Sequence, residues 1–331
     1  MKLALIGGHG HHSLLQLAAP GGNLELVALA GDGRDNEVLK FQSSPAWHSG
    51  VACFSHFEQM LDEVQPGIVS IGCQYAFHAA ACRAALARNI PAVCEKPVAN
   101  TLEELEELDV LSRSSQARVI PEFTMRWQPA FSAAASAVRS GGIGDVVLVS
   151  GQKSYPFKTR PSFYQTRETY CGTIPWVGIH AIDFVRWCSG REYETVTAIH
   201  GNHSQPDYPG CEDHAVLLCE MSGGACAVIT ADFLRPTTAP SRNDDRLRIM
   251  GTRGSLEVRD GVCRLCEEGS PERLLTMPEQ DAAQGLLDCA LGQSAFLTWH
   301  DAHVATRLAL LARDSADRRE KQTFPSAPTI L

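Results

Sequence analysis

Segments with the pattern of buried strands alternate with helix-compatible segments along the first 123 residues. Residues 2–8 and 67–73 are short apolar runs, and the alanine-rich residues 76–88 have a helical composition. A strand that is apolar on both faces needs helices on both sides, and strand–helix alternation is typical of a parallel sheet. We therefore predict a doubly wound, parallel α/β domain over residues 1–123, whose ligands bind beyond the carboxyl ends of the strands.

Three short patterns predict where helices of this domain begin. Residues 55–58 and 101–104 each place an acid three residues after a hydroxyl side chain, which is the capping-box pattern. Residues 13–19, after the first predicted strand and its loop, are also compatible with a helix.

The loop after the first predicted strand is rich in glycine and histidine. Residues 8–13 read Gly-His-Gly-His-His-Ser, a G-x-G-x-x-S pattern with serine where a third small residue normally packs the helix on the strand. Glycines let the backbone approach a pyrophosphate, whose charge suits a helix N-terminus. The loop predicts a Rossmann-type dinucleotide site with Gly8, Gly10, His11 and His12 as candidate contacts. The histidines could equally face water.

The residues after the second predicted strand bear on which dinucleotide binds. Asp32 offers a carboxylate to a ribose 2′-hydroxyl and favours NAD, whereas Arg34 suits a 2′-phosphate and favours NADP. Both cofactors stay open. The loop at residues 74–78 and the segment Glu95-Lys96-Pro97 should reach the same edge of the sheet.

The second half of the chain has a different pattern. Its predicted strands, among them residues 215–221 and 225–234, are joined by tight-turn sequences such as Ser222-Gly223-Gly224. Sequential hairpins predict a large, mainly antiparallel sheet, so residues 124–331 should form an α+β domain. One open face of that sheet would suit assembly into a homodimer or homotetramer.

Composition excludes several classes of partner. The net charge of -9 argues against nucleic acid and anionic membranes, and no apolar run reaches the ~18 to 20 residues of a membrane helix. The apolar start is too short for a secretory signal, so a cytoplasmic location is expected. The twelve cysteines are scattered, and Cys263-Arg264-Leu265-Cys266 has no second ligand pair. No metal site is predicted, and this segment reads as a hairpin strand.

A histidine and a carboxylate share a predicted helix face. If a helix begins near Gly178, His180 and Asp183 are three residues apart and lie on one side of it. A histidine beside an acid is a suitable proton acceptor near neutral pH. The spacing fits a core histidine bonded to the backbone equally well.

Five motifs in order along the chain resemble those of the Gfo/Idh/MocA oxidoreductases, the family of glucose-fructose oxidoreductase and inositol dehydrogenase. They are the glycine loop, Glu95-Lys96-Pro97, Met125-Arg126-Trp127-Gln128-Pro129, Gly178-Ile179-His180-Ala181-Ile182-Asp183 and Met250-Gly251-Thr252-Arg253-Gly254-Ser255. The resemblance implies an NAD(P)-dependent oxidoreductase that acts on a sugar, polyol, cyclitol or related carbonyl compound. It implies that Lys96 contacts the substrate oxygen, that His180 is the proton acceptor and that Asp183 is the orienting acid.

The chain departs from this family at two places. Trp176 stands where many members carry an acid four residues before the histidine, and it would either stack on the substrate or pack in the core. Gln74 and Tyr75 replace the usual residues of the loop beneath the cofactor, while His78 matches the family's histidine. The candidates to line the substrate pocket form a cationic group, which hints at an acidic or oxygen-rich ligand: Arg126, Lys153, Tyr155, Arg160, Tyr164, Arg167 and Trp176.

Two other functions fit the same residues. One is a lyase or glycosidase that oxidises its substrate transiently and leaves the cofactor unchanged. The other is a dinucleotide-binding regulatory protein without catalysis, which the tryptophan at position 176 and the irregular glycine loop would explain.

Overall fold

A computed structural model describes residues 1–31 and 37–324 of the 331-residue chain. The chain divides into two compact units. The first comprises Met1–Thr124, Glu168–Cys171 and Asp281–Thr306, and the second comprises Met125–Arg167, Gly172–Gln280 and Arg307–Leu331. The domain division between residues 123 and 124 stays a prediction.

The described residues contain the following regular elements. The strands are β1 (Lys2–Ile6), β2 (Glu25–Ala30), β3 (Ala52–Phe54), β4 (Ile68–Ile71), β5 (Ala92–Cys94), β6 (Val119–Pro121), β7 (Val146–Ser154), β8 (Tyr193–Gly201), β9 (His214–Met221), β10 (Ala225–Asp232), β11 (Arg246–Gly251), β12 (Gly254–Arg259), β13 (Val262–Glu267), β14 (Arg273–Leu275) and β15 (Gln322–Thr323). The α-helices are α1 (Phe57–Val64), α2 (His78–Ala87), α3 (Leu102–Ser114), α4 (Pro129–Arg139), α5 (Arg167–Tyr170), α6 (Ile179–Ser189), α7 (Ala282–Ala290) and α8 (Trp299–Arg318).

The first unit is built on a six-stranded parallel sheet in the order β3-β2-β1-β4-β5-β6. Its strands other than the edge strand β3 are buried along most of their length, because α1, α2 and α3 contribute side chains to the same apolar core. The predicted doubly wound α/β fold is confirmed.

The strand order reverses beside β1, which pairs with β2 on one side and β4 on the other. The loops after these strands meet there, since the N–H groups of His9 and Gly10 both donate to the carbonyl of Gly72, at 2.7 and 2.9 Å. This edge is the ligand position expected of a doubly wound sheet.

The helix expected after the glycine loop is a 3₁₀ helix over Ser13–Ala18 rather than an α-helix. Only six residues separate the loop from Ala19, which precedes Pro20, and a residue before proline disfavours the helical region. Ala19 is extended at φ -64° and ψ 161°. The loop is therefore not followed by the long helix whose N-terminus usually holds a pyrophosphate.

The second unit is built on a nine-stranded sheet in the order β14-β13-β12-β11-β7-β10-β9-β8-β15. All of its neighbouring strands are antiparallel except β7 and β10, which pair in parallel. The predicted mainly antiparallel α+β architecture is confirmed. The predicted hairpin strand at Cys263 and Cys266 is β13, where Cys263 is buried and Cys266 is exposed.

Helix α6 covers one face of this sheet. A Cβ on Gly151 of β7 would stand 2.5 Å from Val185 Cγ2, so glycine is needed for this close approach. The rings of Phe131 on α4 and Phe184 on α6 are 4.8 Å apart, which joins the two helices in one core. Among the described helices, none combines the length and apolar character that crossing a bilayer requires.

Candidate active site

Glu95 and Lys96 lie immediately after β5, at the edge where the strand order reverses. Their side chains are 1% and 2% exposed, and Lys96 Nζ lies 3.7 Å from Glu95 Oε1. The backbone N–H of Glu95 donates to the carbonyl of Ile71 on β4, which anchors the segment to the sheet. A buried lysine needs a compensating charge, and Glu95 supplies it.

Glu95 also binds the glycine loop. Its Oε2 accepts a hydrogen bond from the backbone N–H of His11 at 2.9 Å and lies 2.5 Å from His11 Nδ1. Burial by itself raises the pKa of Glu95, but the positive charge of Lys96 and the contacts with His11 hold that pKa well below its usual range. The hydrogen bond to Glu95 raises the pKa of His11. Glu95 is therefore an anion that ties the loop to β5.

A second buried acid, Glu122, lies at the same edge and was not among the residues predicted from the sequence. It follows β6, is 3% exposed, and accepts a hydrogen bond from the N–H of Ser13 at 2.8 Å. Burial and the negative charge of Glu95 raise the pKa of Glu122 to about 7. The available signal was a charged residue directly after a buried parallel strand, as at Glu95.

His12 points into the fold. Its Nε2 lies 3.0 Å from the carbonyl oxygen of Gly7, and its Nδ1 lies 2.7 Å from Ser70 Oγ on β4. A carbonyl only accepts, so Nε2 donates and Nδ1 accepts from the Ser70 hydroxyl. Burial lowers the pKa of His12 to about 4, which keeps the ring neutral. His12 braces the loop with both ring nitrogens, while His11 is the more exposed of the two.

His78 connects the loops after β4 and β5. It is the first residue of α2, is fully buried, and places Nδ1 2.7 Å from the carbonyl oxygen of Pro97 and Nε2 3.1 Å from that of Cys73. Gln74 precedes the short 3₁₀ turn that leads into α2 and is partly exposed. Asp32 and Arg34, the predicted ribose readers, lie outside the described residues.

His11, Glu95 and Glu122 present a mixed nitrogen and oxygen donor set, with ligand atoms all within 4.8 Å of one another. Ligand bonds of ~2.0 to 2.2 Å around one tetrahedral ion separate the donors by ~3.3 to 3.6 Å. His11 Nδ1 and Glu95 Oε2 are 2.5 Å apart. This distance is that of a hydrogen-bonded ion pair, and the cluster is satisfied without a metal.

The edge of the first unit has the features that a dinucleotide requires. Gly7 has φ +76°, and a Cβ on Gly10 would stand 2.8 Å from Glu95 Cγ, so both positions need glycine. The loop therefore brings its backbone to the reversal of strand order, beside the buried Glu95–Lys96 pair. These residues fit a dinucleotide, with Gly8, Gly10 and His11 on the loop and Glu95 and Lys96 opposite them.

In the second unit, His180 lies near the start of α6, in a segment that is otherwise buried. A π-helical turn over Ile174–Gly178 leads into α6, in which His180 is the second residue. Every residue from position 171 to position 185 is buried except His180. His180 is thus the one half-buried residue of this segment. Trp176, which is 6% exposed, lies within the buried turn, and this favours packing over stacking on a substrate.

Asp183 pairs with Arg126. Arg126 donates from Nη2 to Asp183 Oδ1 at 2.6 Å and from Nε to Oδ2 at 3.0 Å, and both side chains are almost fully buried. Asp183 was expected to orient His180, and Arg126 was expected to touch substrate. The bidentate pair joins α6 to the 3₁₀ turn at Thr124–Trp127, and both expected roles stay predictions.

A Rossmann-type sheet with a glycine loop and a buried acid–lysine pair defines a dinucleotide-binding protein. Residues 1–123 match the model of the oxidoreductase family with an NAD-binding Rossmann fold, and residues 131–257 match the model of the GFO/IDH/MocA C-terminal domain. A Thermotoga maritima protein described as a "putative oxidoreductase" is 31% identical in sequence, with a TM-score of 0.91 over 98% of this chain and 100% of that one. The chain belongs to the Gfo/Idh/MocA oxidoreductase family.

Curated relatives are more distant. D-apiose dehydrogenase of Rhizobium rhizogenes is 25% identical over 58% of this chain and 55% of its own length. Inositol 2-dehydrogenase 2 of Saccharopolyspora erythraea is 24% identical over 78% of this chain and 73% of its own length. The chain thus spans about half the length of the first relative. The predicted family, and with it the class of NAD(P)-dependent oxidoreductases, is confirmed.

Proposed function

We propose that this protein is an NAD(P)-dependent dehydrogenase or reductase that moves a hydride to or from a sugar, polyol, cyclitol or related carbonyl compound. The observation that carries the proposal is the buried Glu95–Lys96 pair at the reversal of strand order. The relatives named above as dehydrogenases favour net hydride transfer over transient oxidation.

Lys96 would act on the reacting oxygen of the substrate. The nicotinamide ring supplies the hydride donor or acceptor when the cofactor is bound. A carbinol that loses hydride becomes a carbonyl, and negative charge builds on its oxygen as the proton leaves. The Lys96 ammonium, held in a buried site by the charge of Glu95, stabilises that oxygen more strongly than it would in water.

His180 would accept or return the hydroxyl proton. It is half-buried in a segment whose other residues are all buried, and its imidazole is a suitable proton acceptor near neutral pH. Asp183 is a positioning residue in this proposal, because its carboxylate holds α6 through Arg126. The acid absent at Trp176 is then not replaced by Asp183.

We further propose that the second unit assembles with a second copy of the chain. One face of its sheet exposes apolar side chains, with Ile199 at 71% and Leu218 at 56%. Val216 pairs with Ile199 across β8 and β9 and extends the same apolar patch. A patch of this kind on a sheet is typical of a subunit interface.

The proposed activity is tested by incubating the protein with NAD or NADP and a panel of polyols, cyclitols and aldoses. We expect reduced cofactor to accumulate in a one-to-one ratio with oxidised product. Product formation without net cofactor reduction would instead identify transient oxidation. Tight cofactor binding without any product would identify a regulatory protein.

A further inference from the structure

The candidates to line the substrate pocket in the second unit include four cations, and three of them are already neutralised. Arg126 is paired with Asp183, Lys153 Nζ lies 2.8 Å from Asp245 Oδ2, and Arg167 is paired with Glu212. These three side chains offer little net charge to a ligand. The fourth cation is Arg160.

Arg160 has no acidic partner among the residues that the structure describes. Its Nη2 donates a weak hydrogen bond to the carbonyl oxygen of Pro156 at 3.4 Å, and its Nε is buried without any acceptor among the described residues. A guanidinium carries five N–H donors. A donor that is buried without an acceptor lowers the stability of the folded protein, because its hydrogen bond to water is lost and not replaced.

Aromatic rings surround this guanidinium. Arg160 Cζ lies 4.8 Å from the ring centre of Phe233 and 5.4 to 5.6 Å from three others, those of Tyr155, Phe157 and Tyr164. All four rings are at least nine-tenths buried. They hold the cation by cation–π attraction and reduce the water around it, which strengthens any ion pair formed there.

Arg160 lies at the same end of the sheet as His180. Gly178, just before α6, packs against Ala231, and Ala231 is paired with Lys153 near the end of β7. The chain then continues from β7 into Tyr155, whose N–H donates to the carbonyl of Asp232. The amino end of α6 and the segment that carries Arg160 thus flank the same strand ends of the second unit.

We propose that Arg160 binds a carboxylate of the substrate, so that the protein acts on a sugar acid such as a uronate rather than on a neutral sugar. The inference rests on the proposed function and names its substrate class. The guanidinium fork matches a planar carboxylate in a bidentate manner. A single uncompensated positive charge suits a monoanion, whereas a phosphate dianion would need a second free cation, and Lys153 is occupied by Asp245.

The test compares each acid with its neutral and phosphorylated partners. The substrates are D-glucuronate, D-glucose and D-glucose 6-phosphate, with D-galacturonate and D-galactose as a second pair. We expect the wild-type kcat/KM to be highest for a uronate. Arg160→Met, which keeps the apolar stem against the rings, should lower that value about 30-fold, or ~2 kcal/mol at ~1.4 kcal/mol per tenfold. Turnover of the neutral sugar should change less than about threefold.

Two further variants guard against a structural explanation. Arg160→Lys keeps a cation over the rings but lacks the fork, so uronate turnover should fall to an intermediate value. Arg318→Met removes an exposed arginine of the last turn of α8 and should leave both substrates unaffected. Equal losses for acid and neutral sugar in Arg160→Met and Arg160→Lys would overturn the proposal, as would wild-type preference for the neutral sugar or the phosphate ester.

A binding measurement separates this inference from the proposed function. The thermal midpoint of the wild type is followed with NADH and each ligand, without turnover. If no substrate is oxidised but D-glucuronate or D-galacturonate still raises the midpoint of the wild type and not of Arg160→Met, the dehydrogenase proposal fails and the carboxylate site stands. If neither acid raises the midpoint more than its neutral partner, the carboxylate site fails whatever the activity.

Discussion

At the scale of single residues, the edge of the Rossmann sheet holds two buried carboxylates with opposite tendencies. Glu95 is kept anionic by Lys96 and His11, whereas burial and the charge of Glu95 push the pKa of Glu122 up to about 7. Two like charges in one desolvated site do not ionise with equal ease. Glu122 therefore changes charge close to neutral pH, beside the glycine loop.

Glu122→Gln tests this difference through stability. The folded protein holds the Glu122 proton up to about pH 7, while the unfolded chain releases it near 4.5. The free energy of unfolding of the wild type should therefore fall, relative to the variant, as pH rises from about 4.5 to 7. A rise in pKa from 4.5 to about 7 corresponds to about 3 kcal/mol.

The measurement is the thermal midpoint of both proteins at pH 5 and pH 8. We expect the midpoint of Glu122→Gln minus that of the wild type to be more positive at pH 8. The exposed Glu103→Gln serves as the control and should show no such trend. A difference that does not change with pH would contradict the assigned state of Glu122.

Residue roles were only partly predictable from the sequence. The segment at Glu95 and Lys96 is recognisable because an acid and a lysine follow an apolar strand. The inward orientation of His12 is not, since three neighbouring histidines in a loop look alike until Ser70 and Gly7 provide their partners. The role of Glu122 was not predicted, because its hydrogen-bond partner Ser13 lies 109 residues away in sequence.

At the scale of elements, α6 depends on one buried ion pair for its attachment. Arg126 and Asp183 are each 2–3% exposed and join elements 57 residues apart. Removing one member leaves the other charge buried and uncompensated, which costs ~3 to 5 kcal/mol. Replacing both by apolar groups avoids that cost.

We therefore expect Asp183→Leu and Arg126→Met each to lower the free energy of unfolding by about 3 kcal/mol. The double variant Arg126→Met with Asp183→Leu should lose clearly less than the sum of the two single changes. Urea denaturation followed by circular dichroism measures all four proteins. Single variants within ~1 kcal/mol of the wild type would show that the pair does not hold the helix.

The helix starts show how well local sequence patterns predict the bounds of an element. The capping box at Thr101 and Glu104 is confirmed in full, with both reciprocal hydrogen bonds present. The one predicted at residues 55–58 is wrong, because α1 begins one residue later and His56 is its extended N-cap. The parallel pairing of β7 with β10 also could not be predicted from local patterns, since two α-helices and two other strands lie between these strands in the chain.

At the scale of the whole molecule, the nine-stranded sheet leaves apolar side chains of one face exposed to water when the chain is considered alone. Val216 and Leu218 of β9 alternate with the buried residues Ala215 and Leu217, so the exposed positions form one face. Apolar side chains in a contiguous patch favour association with a second copy.

Leu218→Asp should shift the protein from an oligomer to a monomer, because an aspartate in an apolar interface would be buried without a partner. Sedimentation velocity at micromolar concentration measures the mass. Val110→Asp on α3 is the matched control, since Val110 is similarly exposed but lies in the first unit. A wild-type monomer, or equal effects of both substitutions, would exclude this face as the interface.

The architecture of both sheets followed from periodicity and turn residues, because alternation of strands and helices has few packed solutions. The pairing of charged side chains did not follow from periodicity or turn residues. The fold of the second unit brings distant acids to three of the cations, Arg126, Lys153 and Arg167, and neutralises them. It places Arg160 among aromatic rings. The sequence predicted which cations line the pocket, but not which of them can bind an anionic ligand.

The central claim is that Lys96 acts on the reacting oxygen of a substrate oxidised or reduced by the bound cofactor. Lys96→Met keeps the length of the side chain and removes its charge, with the exposed Lys2→Met as control. The decisive measurement pairs cofactor reduction with NADH or NADPH affinity in the same preparations. We predict that Lys96→Met lowers turnover at least ~1,000-fold while the variant still binds NADH or NADPH. Turnover within ~10-fold of the wild type would contradict the assignment of Lys96.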